Sequence, residues 1–180
     1  MKKTVLTFGL ISGAVLSAMM LLTIPFQDRI SFGTAEVIGY TTMVMASLLV
    51  FFGVRSYREN VAGGELTFGR ALRVGLLITL VSSACYVATW QVIYYRLAPG
   101  FGDKYAEHYL QRERESGATP EQLEATAQRM EQFKALYRNP FFNIAITFLE
   151  PLPIGLAASL ITAGVLRRRQ RPDLRSAAAN

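Results

Sequence analysis

Four apolar stretches, each at least twenty residues long, alternate with charged segments and leave this chain few possible folds. They cover residues 4–27, 35–54, 71–95 and 140–166. An α-helix rises about 1.5 Å per residue, so about 20 apolar residues cross a hydrocarbon core of about 30 Å. Lipid offers no hydrogen bonds to the backbone, so a spanning segment must satisfy its own amides, as a helix does. The expected fold is all-α: an integral membrane four-helix bundle forming a single domain over residues 1–169.

Lys2 and Lys3 precede the first stretch and resemble the basic start of a signal peptide. Leu16 stands where cleavage near Ala18 would want a small residue, and the apolar run is long for a signal. An uncleaved helix is the better reading. Thr34 is the expected cap of the second helix, with Glu36 in its first turn. Tyr86, Trp90 and Tyr94 recur every four residues on the third. Asn139 and Pro140 form a favoured start for the fourth.

The net charge of +6 matters through its placement. Arg55, Arg58, Arg70 and Arg73 flank the second connection, and Arg167, Arg168, Arg169, Arg171 and Arg175 follow the last stretch. No aromatic platform interleaves them, so they read as topology signals beside anionic lipid rather than as a nucleic-acid surface. With Arg29 alone in the first loop, both termini are expected in the cytoplasm. The expected compartment is the bacterial inner membrane. Residues 170–180 read as a disordered basic tail.

The loop over 103–138 carries its own helical signals. Residues 103–116 are rich in helix formers, and Gly117 can end a helix. Thr119-Pro120-Glu121-Gln122 fits a capping box, and Leu123, Ala127, Met130, Phe133 and Leu136 form an apolar stripe. The expectation is an extramembrane helical hairpin between the third and fourth spans, its stripe packed on itself or on the bundle. Ser31-Phe32-Gly33-Thr34-Ala35 through Gly39 resembles Thr67-Phe68-Gly69-Arg70-Ala71 through Gly75. Shared helix-start chemistry explains this better than a transporter-like inverted repeat.

Glu150 is the residue with the strongest claim to chemistry. It lies about ten residues into the fourth stretch, about 15 Å deep at 1.5 Å per residue. A carboxyl there costs about 2.5–3.5 kcal/mol on insertion scales and calls for a partner inside the bundle. Depth counting names Tyr86, Ser83, Ser17 and Thr42, all neutral, and a carboxyl without a cation favours its neutral form. Pro151 and Pro153 remove two amide donors beside it and are expected to kink the helix. Glu150 is therefore either a proton or cation site or a hydrogen-bonded strut. Gly9, Gly13 and Ser17, and likewise Gly155 and Ser159, lie four residues apart. Such small residues let helices approach closely, and packing within the chain is preferred here to homodimerisation.

One histidine, His108, and one cysteine, Cys85, supply neither a metal-ligand cluster nor a nucleophile set. No cofactor, metal or nucleic acid is expected. The expected partners are the bilayer and either a second copy or another membrane protein. The Met1-Lys2-Lys3 start with its glycine-bearing helix, Thr67-Phe68-Gly69-Arg70-Ala71, Tyr137-Arg138-Asn139-Pro140-Phe141-Phe142 and Glu150-Pro151-Leu152-Pro153-Ile154-Gly155 together resemble the bacterial membrane family called domain of unknown function 4199. The likeness runs to about Arg169 and implies a multi-pass protein of the bacterial cell membrane. It carries over no catalytic residue. The leading expectation is a non-enzymatic accessory or structural membrane subunit; the alternative is a small oligomeric proton- or cation-coupled transporter using Glu150.

Overall fold

The computed structural model describes residues 1–26 and 29–167, and the expected tail at 170–180 lies outside them. Four helices are long and apolar enough to span a membrane: Lys2–Phe26, Phe32–Asn60, Phe68–Leu97 and Pro140–Leu166. The first three reach beyond their apolar stretches because helical hydrogen bonding continues into the charged flanks, and the fourth coincides with its stretch. The first is α1 (Lys2–Thr23) closed by a 3₁₀ turn, and the second is α2 (Phe32–Asn60). The third is α3 (Phe68–Val92), ending in a π-helical turn over Ile93–Leu97. There the Ala98 amide reaches back to the Ile93 carbonyl at 2.7 Å. The fourth joins α6 (Pro140–Leu149) to α7 (Pro151–Leu166).

Helix starts follow local capping chemistry. Thr67 caps α3 by accepting from the Arg70 amide, and Asn139 caps α6 by accepting from the Phe141 amide. The cap of α2 is Ser31 rather than Thr34. Ser31 is extended (φ −62°, ψ 150°), and its hydroxyl accepts from the Thr34 amide. The helix thus begins three residues before Ala35, and Glu36 falls beyond the first turn. The likeness between 31–39 and 67–75 reduces to this shared cap. Gly75 would bring a Cβ to 2.9 Å from Ser159, whereas Gly39 has open space around it.

The centre of the bundle is α3. Half of its most apolar stretch is buried, against 28% or less in the other spans. It packs against α1, α2 and α7. The side chains facing outward are apolar, among them Val37, Met45, Leu48, Ile161 and Val165. That is the surface lipid requires, and with four such spans the chain is built as a multi-pass membrane protein. One end of the interior is aliphatic, with Val50, Val54, Leu66, Val74, Ile78 and Leu166 in mutual contact. Towards the other end, from Thr79 onwards, α3 increasingly carries polar and aromatic groups.

Between the third and fourth spans lie α4 (Phe101–Glu115) and α5 (Pro120–Tyr137). The turn between them needs Gly117, whose φ of +82° is costly for residues with a Cβ. The capping box at Thr119 and Gln122 is complete. The helices run antiparallel: Asp103, at the start of α4, meets Lys134, near the end of α5, at 2.6 Å. Tyr105 lies against Phe133 with ring centroids 6.3 Å apart. The pair folds back on the bundle. Phe32 stacks on His108 at 4.7 Å, Trp90 meets Phe101 edge-on at 4.9 Å, and Tyr94 meets Tyr137 at 5.2 Å. The stripe of α5 is turned slightly from the expected one: Tyr137 is buried and Leu136 is 54% exposed. The drift arises because the expected stripe ends on three successive steps of three residues, short of the 3.6 residues per turn, so its last member Leu136 rotates off the face that Tyr137 continues.

Candidate functional site

The break in the fourth span carries the candidate site. Glu150 keeps a helical backbone (φ −61°, ψ −54°), so the chain passes from α6 to α7 without leaving the helical region. Pro151 and Pro153 lack amide hydrogens, so two rungs of the helical ladder are missing just beyond it. Around this point the span changes neighbours. The α7 half packs on α2 and α3, whereas α6 packs on α3 and α5.

That divergence decides where Glu150 faces. The expectation called for a partner inside the bundle and named Tyr86 first; the buried Tyr86 is that partner, although Glu150 itself is exposed in the single chain. Depth along a helix can be counted from sequence; the direction around its axis is set by neighbouring helices. One carboxylate oxygen, Oε2, accepts a 2.7 Å hydrogen bond from the Tyr86 hydroxyl on α3. Among the described residues this is the carboxyl's hydrogen-bond partner, and there the acid acts as acceptor.

The other residues named at this depth are engaged elsewhere. Ser17 accepts a 2.7 Å bond from Thr89, joining α1 to α3. Thr42 donates to its own helix at the Ile38 carbonyl, at 2.7 Å. Ser83 is fully buried, and its hydroxyl has no hydrogen-bond partner among the described residues. The small residues act as spacers within the chain. A Cβ on Gly13 would lie 2.5 Å from Cys85, one on Gly9 would lie 2.7 Å from Val81, and one on Gly155 would overlap Thr79. Thus Gly9 and Gly13 seat α1 on α3, and Gly155 and Ser159 seat α7 on α3. Thr79 donates to the Gly155 carbonyl at 3.4 Å, and Ser159 donates to it at 2.7 Å.

Above Glu150 lies a polar network that residue-by-residue inspection did not anticipate. Gln91 donates to Asn143 at 2.7 Å, and the Trp90 indole donates to the Tyr137 hydroxyl at 2.9 Å. Thr147 stands 3.4 Å from both Tyr137 and Asn143. Asn143 and Thr147 sit four apart on α6, and this spacing is the signal that could have found them. Their burial joins α3, α5 and α6 through directional bonds rather than grease. The Tyr105 hydroxyl is pushed above its ordinary value, first by burial, then by Tyr109, and then by the nearby carboxylates Glu36 and Glu150. Tyr137 is likewise pushed up, chiefly by burial, with its hydrogen bonds to Thr147 and Trp90 opposing the shift and Glu150 adding to it.

This arrangement holds one protonatable group at mid-span, tethered through Oε2 to Tyr86. No curated protein and no solved structure matches the chain. The family model described as a protein of unknown function, DUF4199, matches residues 7–168, and the chain belongs to that family.

Proposed function

We propose that this protein is a non-enzymatic accessory or structural subunit of the bacterial inner membrane that associates with another membrane helix through the face bearing Glu150. The observation that carries this reading is a carboxyl at mid-span that is exposed in the single chain and, among the described residues, hydrogen-bonded through Oε2 to Tyr86. In lipid such a group is costly, by about 2.5–3.5 kcal/mol on insertion scales, and a donor on a partner helix relieves that cost. The partner is a second copy or a different membrane protein. Affinity purification of the full chain in mild detergent, followed by mass spectrometry, tests this. The expected result is co-recovery of a membrane partner or a dimer, cross-linkable from a photoreactive residue at Leu149. Recovery of monomer alone under several extraction conditions overturns it.

The same carboxyl supports a second reading, a small oligomeric proton- or cation-coupled transporter. What supports it is the mid-span position of Glu150, since an ionisable side chain within a membrane span is a functional-site hypothesis by default. Proteoliposome flux separates the two: a transporter loses flux on Glu150→Gln, and an accessory subunit shows none to lose.

Both readings place the two termini in the cytoplasm and the α4–α5 pair on the far side. Reporter fusions after Arg169 and at Thr119 are expected to report opposite sides of the membrane. Two fusions reporting the same side would overturn the map.

A further inference from the structure

Just inside the break at Pro151, the four spans leave a crevice of about 20 Å³. About 10–15 Å³ of such volume admits one water molecule. Its walls include Pro151 and five hydroxyl side chains: Ser12 from α1, Ser47 from α2, and Thr79, Ser82 and Ser83 from α3. A hydroxyl has one hydrogen to donate and two lone pairs. Four of these hydrogens are already committed. Ser12 donates to the Ala46 carbonyl at 3.2 Å, Ser47 to the Val44 carbonyl at 2.7 Å, and Ser82 to the Thr79 carbonyl at 2.9 Å. Thr79 donates to the Gly155 carbonyl at 3.4 Å. What these four groups have left to offer is lone pairs.

Ser83 differs from them. It is 0% exposed, it lines the crevice, and its hydroxyl has no hydrogen-bond partner among the described residues. A buried hydroxyl left unpaired is unfavourable, and native structures rarely tolerate one. The crevice therefore calls for a guest with two hydrogens for surrounding lone pairs and one acceptor for Ser83. An anion fails this test, because only one donor faces it. A bare cation would use the lone pairs but would leave the Ser83 hydrogen unmatched, and no carboxylate lines the crevice to offset its charge. We propose that this crevice binds one ordered water molecule, which accepts from Ser83 and donates to hydroxyl oxygens of the neighbouring helices. The water acts as a structural ligand at the point where α1, α2, α3 and α7 meet beside the proline break.

The test uses the full chain in lipid nanodiscs. Water-edited solid-state NMR of the wild-type protein is expected to show magnetisation transfer from water to the Ser83 side chain. Ser83→Ala is expected to lower the thermal midpoint by about 2–4 °C, since the water loses a partner. If the crevice is dry, the same substitution removes an unpaired polar group and raises the midpoint. Absence of the water signal at Ser83 in the wild-type protein overturns the proposal even if the variant fails to fold. A midpoint raised by sodium chloride but not by choline chloride, and insensitive to sodium in Ser83→Ala, would also overturn it by showing a cation there.

Discussion

Gly155→Leu is expected to prevent α7 from seating on α3 and to leave little folded protein. A Cβ at Gly155 would already overlap the Thr79 side chain, and Thr79 cannot simply turn away. Its hydroxyl is held between the Gly155 carbonyl at 3.4 Å and Ser159 at 3.5 Å. Even Gly155→Ala is expected to cost about 1–3 kcal/mol, the usual range for overpacking, and leucine more. The same substitution at Gly39 serves as the control, because nothing lies within 4 Å of a Cβ there. Gly39→Leu is expected to be silent or slightly stabilising, since glycine costs about 1 kcal/mol in a helix interior. Thermal unfolding in detergent, with size-exclusion profiles, checks both. Thr79→Gly should partly rescue Gly155→Ala. Equal behaviour of the Gly155 and Gly39 variants would show that the α3–α7 approach is not as close as described.

The second large effect concerns Glu150. Tyr86→Phe and Glu150→Leu each remove the same 2.7 Å bond, so their double-mutant cycle is expected to show coupling of about 1 kcal/mol. Their effects on association should differ. Glu150→Leu removes the exposed carboxyl and is expected to weaken association with a partner helix by about fivefold or more, the equivalent of about 1 kcal/mol. Glu150→Gln keeps hydrogen-bonding capacity and should preserve association. Cross-linking yield from Leu149 in native membranes reads the difference. Unchanged association in the leucine variant would leave Glu150 as a tether to Tyr86 and nothing more. The leucine variant should also insert more readily, because the cost of the mid-span carboxyl disappears. A stability measurement alone would therefore mask the loss, so association has to be read separately.

These two sites show where sequence reading stopped. The four spans were legible because the requirement is local: a long enough apolar run must be helical to cross lipid. The starts of α5 and α6 were legible too, because Thr119 and Asn139 cap within three residues of themselves, whereas α3 begins at Phe68, three residues before the apolar stretch that marked it. The start of α2 was misplaced by a few residues because two hydroxyls, Ser31 and Thr34, stand close enough to share a 2.9 Å bond, and either reads as a cap. The small-residue stripes announced close contacts but not their partners. Only the assembled bundle shows that Gly9 and Gly13 on one side, and Gly155 and Ser159 on the other, grip the same helix α3.

Sequence alone determined the number of spans, the depth of Glu150 within one of them, and the helical character of the segment between the third and fourth. Each of these follows from spacing along one helix. Tertiary structure decided that Tyr86, of the four groups named by depth, bonds Glu150, that Ser83 lacks a partner among the described residues, and that Gln91, Asn143, Tyr137 and Trp90 bond across helices. Those features depend on how each helix is rotated about its axis. That rotation is set by packing between residues such as Tyr86 and Glu150, which lie far apart in the chain, and no local pattern encodes it.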